Sequence, residues 1–194
     1  MDGLPSKLYS FLRKLVAGDA VAGDASGWRR INNPVSNPLD PAQDYTRFRS
    51  PSADASGYPV ASLPGSIVID DGNGTAANGT TLPNALLRRT FSASQRPLRL
   101  YLSMDLGAND GAVVYLNNAP VAAYNAPGQD DTPTSSVPNT APSFLPLSKV
   151  FEIDPNALVA SATADNNVFT VELYTTADAG SPTSFNLRLE GLQE

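Results

Sequence analysis

The chain has 194 residues, with 13 Lys and Arg against 19 Asp and Glu, a formal net charge of -6, no Cys and no His. Without Cys there is no disulfide framework, thiolate nucleophile or Cys-ligated zinc, and without His the commonest general base and most transition-metal sites are gone too. A catalyst would have to work with carboxylates, Lys, Tyr or a bound ion, so composition predicts a non-enzymatic protein without a cofactor.

Near the N-terminus, Leu8, Phe11, Leu12 and Leu15 follow the i, i+3, i+4, i+7 spacing, Pro5 suits a first helical position and Gly18 a stop. The spacing predicts a short amphipathic helix over residues 5–17. A lone helix of that length is marginal in water, so its stripe must pack on its own domain, on another subunit or on a membrane surface. Arg13 and Lys14 interrupt the apolar residues, so no signal peptide is expected, and no stretch approaches the ~20 apolar residues of a membrane span. The small repeat Ala17-Gly-Asp-Ala20, Ala22-Gly-Asp-Ala25 reads as a linker or turn. From Trp28 to Pro64 the chain is crowded with Pro, Asn, Asp and Ser, and its one strand-like segment is Tyr45-Thr-Arg-Phe-Arg49. Long irregular segments are uncommon inside compact domains and often carry interactions. Residues 1–64 are therefore expected to form an extended arm that wraps its own body or a neighbour.

From residue 65 the period becomes that of strands. Strands are predicted at Ser66–Asp70, Leu86–Phe91, Leu98–Met104, Ala112–Leu116, Val121–Tyr124, Phe144–Ile153, Val168–Thr175 and Ser184–Leu189. Asp71-Gly-Asn-Gly74, Asn109-Asp-Gly111 and Asn117-Asn118 are turns between them, and residues 127–143 a loop. Many short strands with turn signals and almost no helix indicate an all-β antiparallel sandwich or jelly roll over residues 65–194. Charge divides at nearly the same place. Residues 1–50 carry seven basic and five acidic groups and net +2, while the remaining 144 carry six and 14 and net -8. Nucleic-acid binding needs a concentrated basic face, which an acidic body with a pI near 4.5 opposes. A basic arm docking on an acidic protein surface fits the asymmetry better, and scattered solvated charges are the plain alternative.

Two segments carry a family likeness. Asp110-Gly-Ala-Val-Val-Tyr-Leu-Asn117, followed by Val171-Glu-Leu173 and Ser184-Phe-Asn-Leu187, resembles the galactose-binding-like jelly-roll modules of bacterial surface and multidomain enzyme proteins. The likeness covers about a third of the chain directly, and Asn186 stands where the family usually has aspartate. It implies the sandwich fold and a choice of adhesion, carbohydrate-contact or spacing roles, among which fold does not decide. In architecture and composition, a sandwich with an arm also resembles accessory coat proteins of tailed bacteriophages. That likeness implies a virion location, the major coat protein as partner, and self-association, for instance as a trimer. The alternative is an extracellular carbohydrate- or surface-binding module, or a tail or receptor-binding component.

Individual residues narrow the chemistry further. Arg29, Arg30, Arg47 and Arg49, interleaved with Trp28 and Phe48, are candidate interface anchors together with Leu8, Phe11, Leu12 and Leu15, because Arg and aromatics dominate interface hot spots. Packing of these residues on their own sandwich is the competing reading. Asp70, Asp71 and Asn73 are weak Ca²⁺ ligand candidates, with turn chemistry favoured because the bidentate Glu of an EF-hand loop is missing. Trp28, Tyr115, Tyr124 and Tyr174 are the aromatics that could stack on a sugar. Asp105, Asp110, Glu152 and Glu172 could be nominated as glycosidase carboxylates, but no spacing singles out a pair.

Overall fold

A computed structural model describes residues 12–17, 27–32, 45–61, 65–68, 82–93, 95–107, 110–126, 147–160, 166–175 and 182–192. Its strands in chain order are β1 (Leu12–Ala17), β2 (Trp28–Asn32), β3 (Val60–Ala61), β4 (Gly65–Val68), β5 (Ala85–Phe91), β6 (Arg99–Leu106), β7 (Gly111–Leu116), β8 (Ala119–Tyr124), β9 (Leu147–Ile153), β10 (Asn167–Tyr174) and β11 (Pro182–Leu192). Short 3-10 turns occupy Tyr45–Arg49 and Pro155–Ala157. A five-stranded sheet runs β1-β11-β6-β9, with β4 also on β11, and a six-stranded sheet runs β3-β2-β5-β10-β7-β8. Every pairing is antiparallel. The fold is an all-β antiparallel sandwich.

Alternation in the sequence decides what each sheet turns inward. Leu100, Leu102, Met104 and Leu106 of β6, with Phe185, Leu187 and Leu189 of β11, supply one side of the core and are at most 2% exposed. Ala85 and Leu87 of β5, Ala112, Val114 and Leu116 of β7, and Phe169, Val171 and Leu173 of β10 supply the other. Phe91 and Phe169 stack across the β5–β10 pair with centroids 5.2 Å apart. Each of the large apolar side chains among these contributes roughly 1.5–3 kcal/mol when fully buried. Strands β7 and β10 are buried along their whole length on both faces. That is why β7, Gly111-Ala-Val-Val-Tyr-Leu116, reads as a near-continuous apolar run, whereas β10 carries the polar Thr170 and Glu172 on its buried outer face.

Two turns explain the motif residues. Asn117 and Asn118 have φ of 52° and 70°, the pair of positive values that a two-residue type I′ hairpin requires between β7 and β8. The Asn117 amide also donates to Ala157 O and Asn167 Oδ1, both at 2.9 Å, and accepts from Val168 N. Asn167 in turn exchanges two hydrogen bonds with the Val159 backbone, both 2.8 Å. These amides tie the Pro155–Ala157 turn to the hairpin. At Gly111, an added Cβ would lie 2.0 Å from Asn125 O, so the backbone crossing there admits no side chain.

One expected element near the N-terminus is replaced. Over Leu12–Ala17 the predicted helix is replaced by β1, which pairs with the second half of β11 through a register shift between Lys14 and Val16. Residues 5–11 lie outside the described residues. An isolated helix must find its stabilisation elsewhere, whereas a strand here satisfies an otherwise open edge of β11. Strands β2 and β3 join the six-stranded sheet through β5, so described parts of residues 1–64 lie in both sheets of the chain's own body.

Candidate functional site

The outer face of the six-stranded sheet holds an unusual set of residues for a surface. Arg88 on β5, Thr170 and Glu172 on β10, and Tyr115 on β7 all point away from the main core, and all four are buried. What covers them is the chain's own segment 45–59, which lies across the sheet as a strap before joining its edge as β3. Ile31 and Leu86 on the sheet and Tyr45, Phe48 and Ala55 on the strap form a second apolar cluster. Phe48 meets the Tyr58 ring edge-on at 5.3 Å.

Polar groups fix the strap's position. Arg88 Nε donates to Phe48 O, and Arg88 Nη2 to Ser50 O and Pro51 O, each at 3.1 Å. Thr170 Oγ1 donates to the same Phe48 carbonyl at 3.0 Å. A 3-10 turn leaves carbonyls without helical partners, and here the sheet supplies the donors. Arg49 then crosses the Tyr115 ring at 3.7 Å and forms an ion pair with Glu172, its Nε 3.1 Å from Oε1. The second Glu172 oxygen accepts from the Tyr174 hydroxyl at 3.0 Å.

The electrostatics follow from burial. Burial works against the Arg49 charge, but the attraction and hydrogen bond of Glu172 outweigh it and lift its pKa. Burial lowers the Arg88 pKa, with Asp54 partly offsetting. The Tyr115 hydroxyl is pushed up to about 12, first by burial and then by Glu172. Tyr174 is raised further by the same two causes in the same order. The cluster is therefore a locked ion pair among neutral tyrosines, an arrangement suited to clamping a segment.

No family model matches the sequence, and no curated protein matches it. Among solved structures, the chain is similar to a glycosyl hydrolase family 2 member from Bacteroides cellulosilyticus, at 12% identity and a TM-score of 0.46, over 85% of this chain and 20% of that one. It is also similar to a beta-glycosidase from Bacteroides vulgatus, at 13% identity and a TM-score of 0.41, over 85% of this chain and 19% of that one. The chain thus spans about a fifth of the length of either glycosidase.

The residues singled out in the sequence are dispersed by the structure. Trp28 is fully buried in the main core, and Phe48, on the strap, is 3% exposed with its side chain packed against Ile31 and Leu86. Arg49 is engaged with Glu172, and Arg29 Nη1 donates to Tyr58 O at 3.1 Å. Arg30 is half-buried, and Arg47 is exposed with its guanidinium 4.7 Å from the Phe48 ring centroid. Leu12 and Leu15 lie on β1. Leu8, Phe11, Asp70, Asp71 and Asn73 fall outside the described residues, and among those described no group of three or more acidic residues could hold a metal. Of the sugar-stacking candidates, Trp28, Tyr115 and Tyr174 are buried, while half-buried Tyr124 carries Lys149 Nζ 5.0 Å from its ring centroid. Of the carboxylates, Asp105 accepts from Asn186 Nδ2 at 3.0 Å on the five-stranded sheet, whereas Glu172 lies on the far side of the other sheet. Arg88 and Thr170 went unnoticed in the sequence. Their signal was polarity inside an apolar strand, which demands a buried partner.

Proposed function

We propose that the chain is a non-catalytic structural protein of a virion, decorating or cementing a bacteriophage capsid, and that its sandwich is a jelly roll of galactose-binding-like type. The observation that supports a structural role is the strap. The charged groups beneath it, Arg88 and Glu172, are engaged in holding the chain's own segment 45–59, Glu172 through the strap's Arg49. Groups so engaged stiffen a body and are not at liberty to act on a substrate. A rigid body contributes to a shell through the area it adds across many copies, with each contact individually weak. Trp28, Phe48 and Arg49 serve the chain's own sandwich, so attachment falls to its remaining surface, where a net charge of -8 over residues 51–194 favours a basic partner patch.

One observation favours an extracellular carbohydrate- or surface-binding module as the second reading. Half-buried Tyr101 on the outer face of the five-stranded sheet receives Arg99 Nη1 at 3.4 Å on its hydroxyl, with Glu152 3.8 Å from Arg99. A ring bordered by polar groups is what a sugar needs. Antibody against the chain, used on purified particles and on the cleared lysate, separates the readings. Sedimentation with particles is expected. A protein absent from particles yet retained on a polysaccharide column would sink the coat reading.

A further inference from the structure

The described strands leave the two sheets with open edges, and these are guarded unequally. Strand β3 is two residues long, β4 is four, and β1 carries a register shift. Strand β8 carries Pro120 and pairs with β7 through a register shift at Val114/Tyr115. Short length, bulges and proline are the devices that stop an edge from recruiting another strand. Strand β9 has none of them. It runs seven residues in unbroken register with β6, from Leu100↔Ile153 to Leu106↔Leu147, and among the described residues nothing pairs with its other side. At its midpoint Val150 is 68% exposed, the most exposed large apolar side chain among the described residues. Lys149, an inward-facing charge of the kind that often protects an edge, is turned onto the Tyr124 ring of β8.

We infer that β9 is the edge through which two copies of this chain join, antiparallel about a two-fold axis at Val150, continuing the five-stranded sheet from one copy into the next. The occupant is set by register. Residues directly opposite in an antiparallel pair share a face, so a two-fold axis must pass through a residue position. Centred on Lys149, the pairing sets like charges against each other. Centred on Phe151, it sets Val150 against the Glu152 carboxylate twice. Centred on Val150, the apolar side chain meets itself, Lys149 lies opposite Phe151 in both directions, and no like charges face. This is also the only centre that pairs all seven residues of Leu147–Ile153. Such an isologous contact closes at two copies, and it stands or falls independently of what the protein attaches to.

The chain has no cysteine, so Val150→Cys introduces its one thiol. Directly opposed residues lie within disulfide reach, whereas Glu152→Cys would face residue 148 of the other copy and leave its own counterpart several residues away. Sedimentation of the wild-type chain as a dimer is expected, with Val150→Cys cross-linking several-fold faster than Glu152→Cys under mild oxidation. Val150→Lys places like charges on the axis of an exposed site, so it should abolish the dimer without changing the melting temperature measured in the monomeric concentration range. A wild-type monomer, equal cross-linking of the two Cys variants, or a Val150→Lys dimer would each overturn the inference.

Discussion

The Arg49 guanidinium lies over the Tyr115 ring, 3.7 Å from its centroid, and ends on the Glu172 carboxylate. Glu172 is 2% exposed, so the pair has been taken out of water and its partners now depend on one another. Removing one partner of a buried pair costs about 3–5 kcal/mol, because it leaves the other charge uncompensated. Arg49→Ala is expected to fall near the lower end, since Tyr174 still donates to Glu172. Replacing both residues together, Arg49→Met with Glu172→Leu, should recover most of the loss. Urea denaturation of the single and double variants checks this, and a double variant as unstable as Arg49→Ala would show that the packing of the pair, not its charge, matters.

Alkaline pH should loosen the same site. The Tyr115 hydroxyl is pushed up to about 12 in the folded chain from the ordinary tyrosine value of 10.0, chiefly by burial and then by Glu172, with Arg49 partly offsetting. Between those values the unfolded chain releases a proton that the folded chain retains. Stability is therefore full below pH 10 and falls as pH rises towards 12, by roughly 3 kcal/mol at most. Tyr174, raised by burial and Glu172, acts in the same direction. Tyr115→Phe is expected to flatten the decline of the urea midpoint above pH 10. An unchanged slope would assign the titration to other groups.

How much of this was legible in the sequence depended on the range over which each feature is decided. The inward faces of β6 and β11 were readable because Leu100 to Leu106 and Phe185 to Leu189 alternate locally. Asn117-Asn118 was readable as a turn because the backbone demand is local too. The strap was not, because Glu172 finds Arg49 at a separation of 123 residues and Arg88 finds Phe48 at 40. A charge inside Val171-Glu-Leu173 announces a partner without naming it. Leu12–Ala17 misled for the complementary reason: its spacing suits a helix, and the open edge of β11 overrides it.

Arg88 is expected to be the strap's main anchor. One guanidinium donates to three carbonyls, on Phe48, Ser50 and Pro51, which no ammonium can match in that planar geometry. Arg88→Lys should therefore destabilise by about 1–3 kcal/mol, as expected when buried acceptors lose their donors. It should also expose Arg47 and Arg49 to trypsin well before the sandwich unfolds. Limited proteolysis followed by mass spectrometry reads the first cut. Initial cleavage elsewhere would mean that the strap is held by its apolar residues alone.

Asn118→Gly should stabilise the protein. With φ of 70° at Asn118, the second turn position is one that glycine adopts without strain, and Asn-Gly is the preferred pair for this hairpin. A gain of about 0.5 kcal/mol, or roughly 1–2 °C in melting temperature, is expected. Asn118→Ala should move the melting temperature the other way, since alanine is strained at positive φ.

Gly111→Ala should be strongly damaging. The added Cβ would sit 2.0 Å from Asn125 O and 2.6 Å from Asn125 C, against backbone and not against the movable end of a side chain. Relief requires either β7 or the end of β8 to shift. Asn125 is already at a φ of 48° and its Nδ2 donates to Asp110 O at 3.3 Å, so the crossing is fixed from both sides. Overpacking typically costs 1–3 kcal/mol and more where nothing can yield, so a loss of about 3 kcal/mol is expected by urea denaturation. Asn125→Gly, which relaxes the positive φ but leaves the carbonyl in place, should not rescue it. Recovery in that double variant would show that strain at Asn125, and not the contact at Gly111, sets the cost.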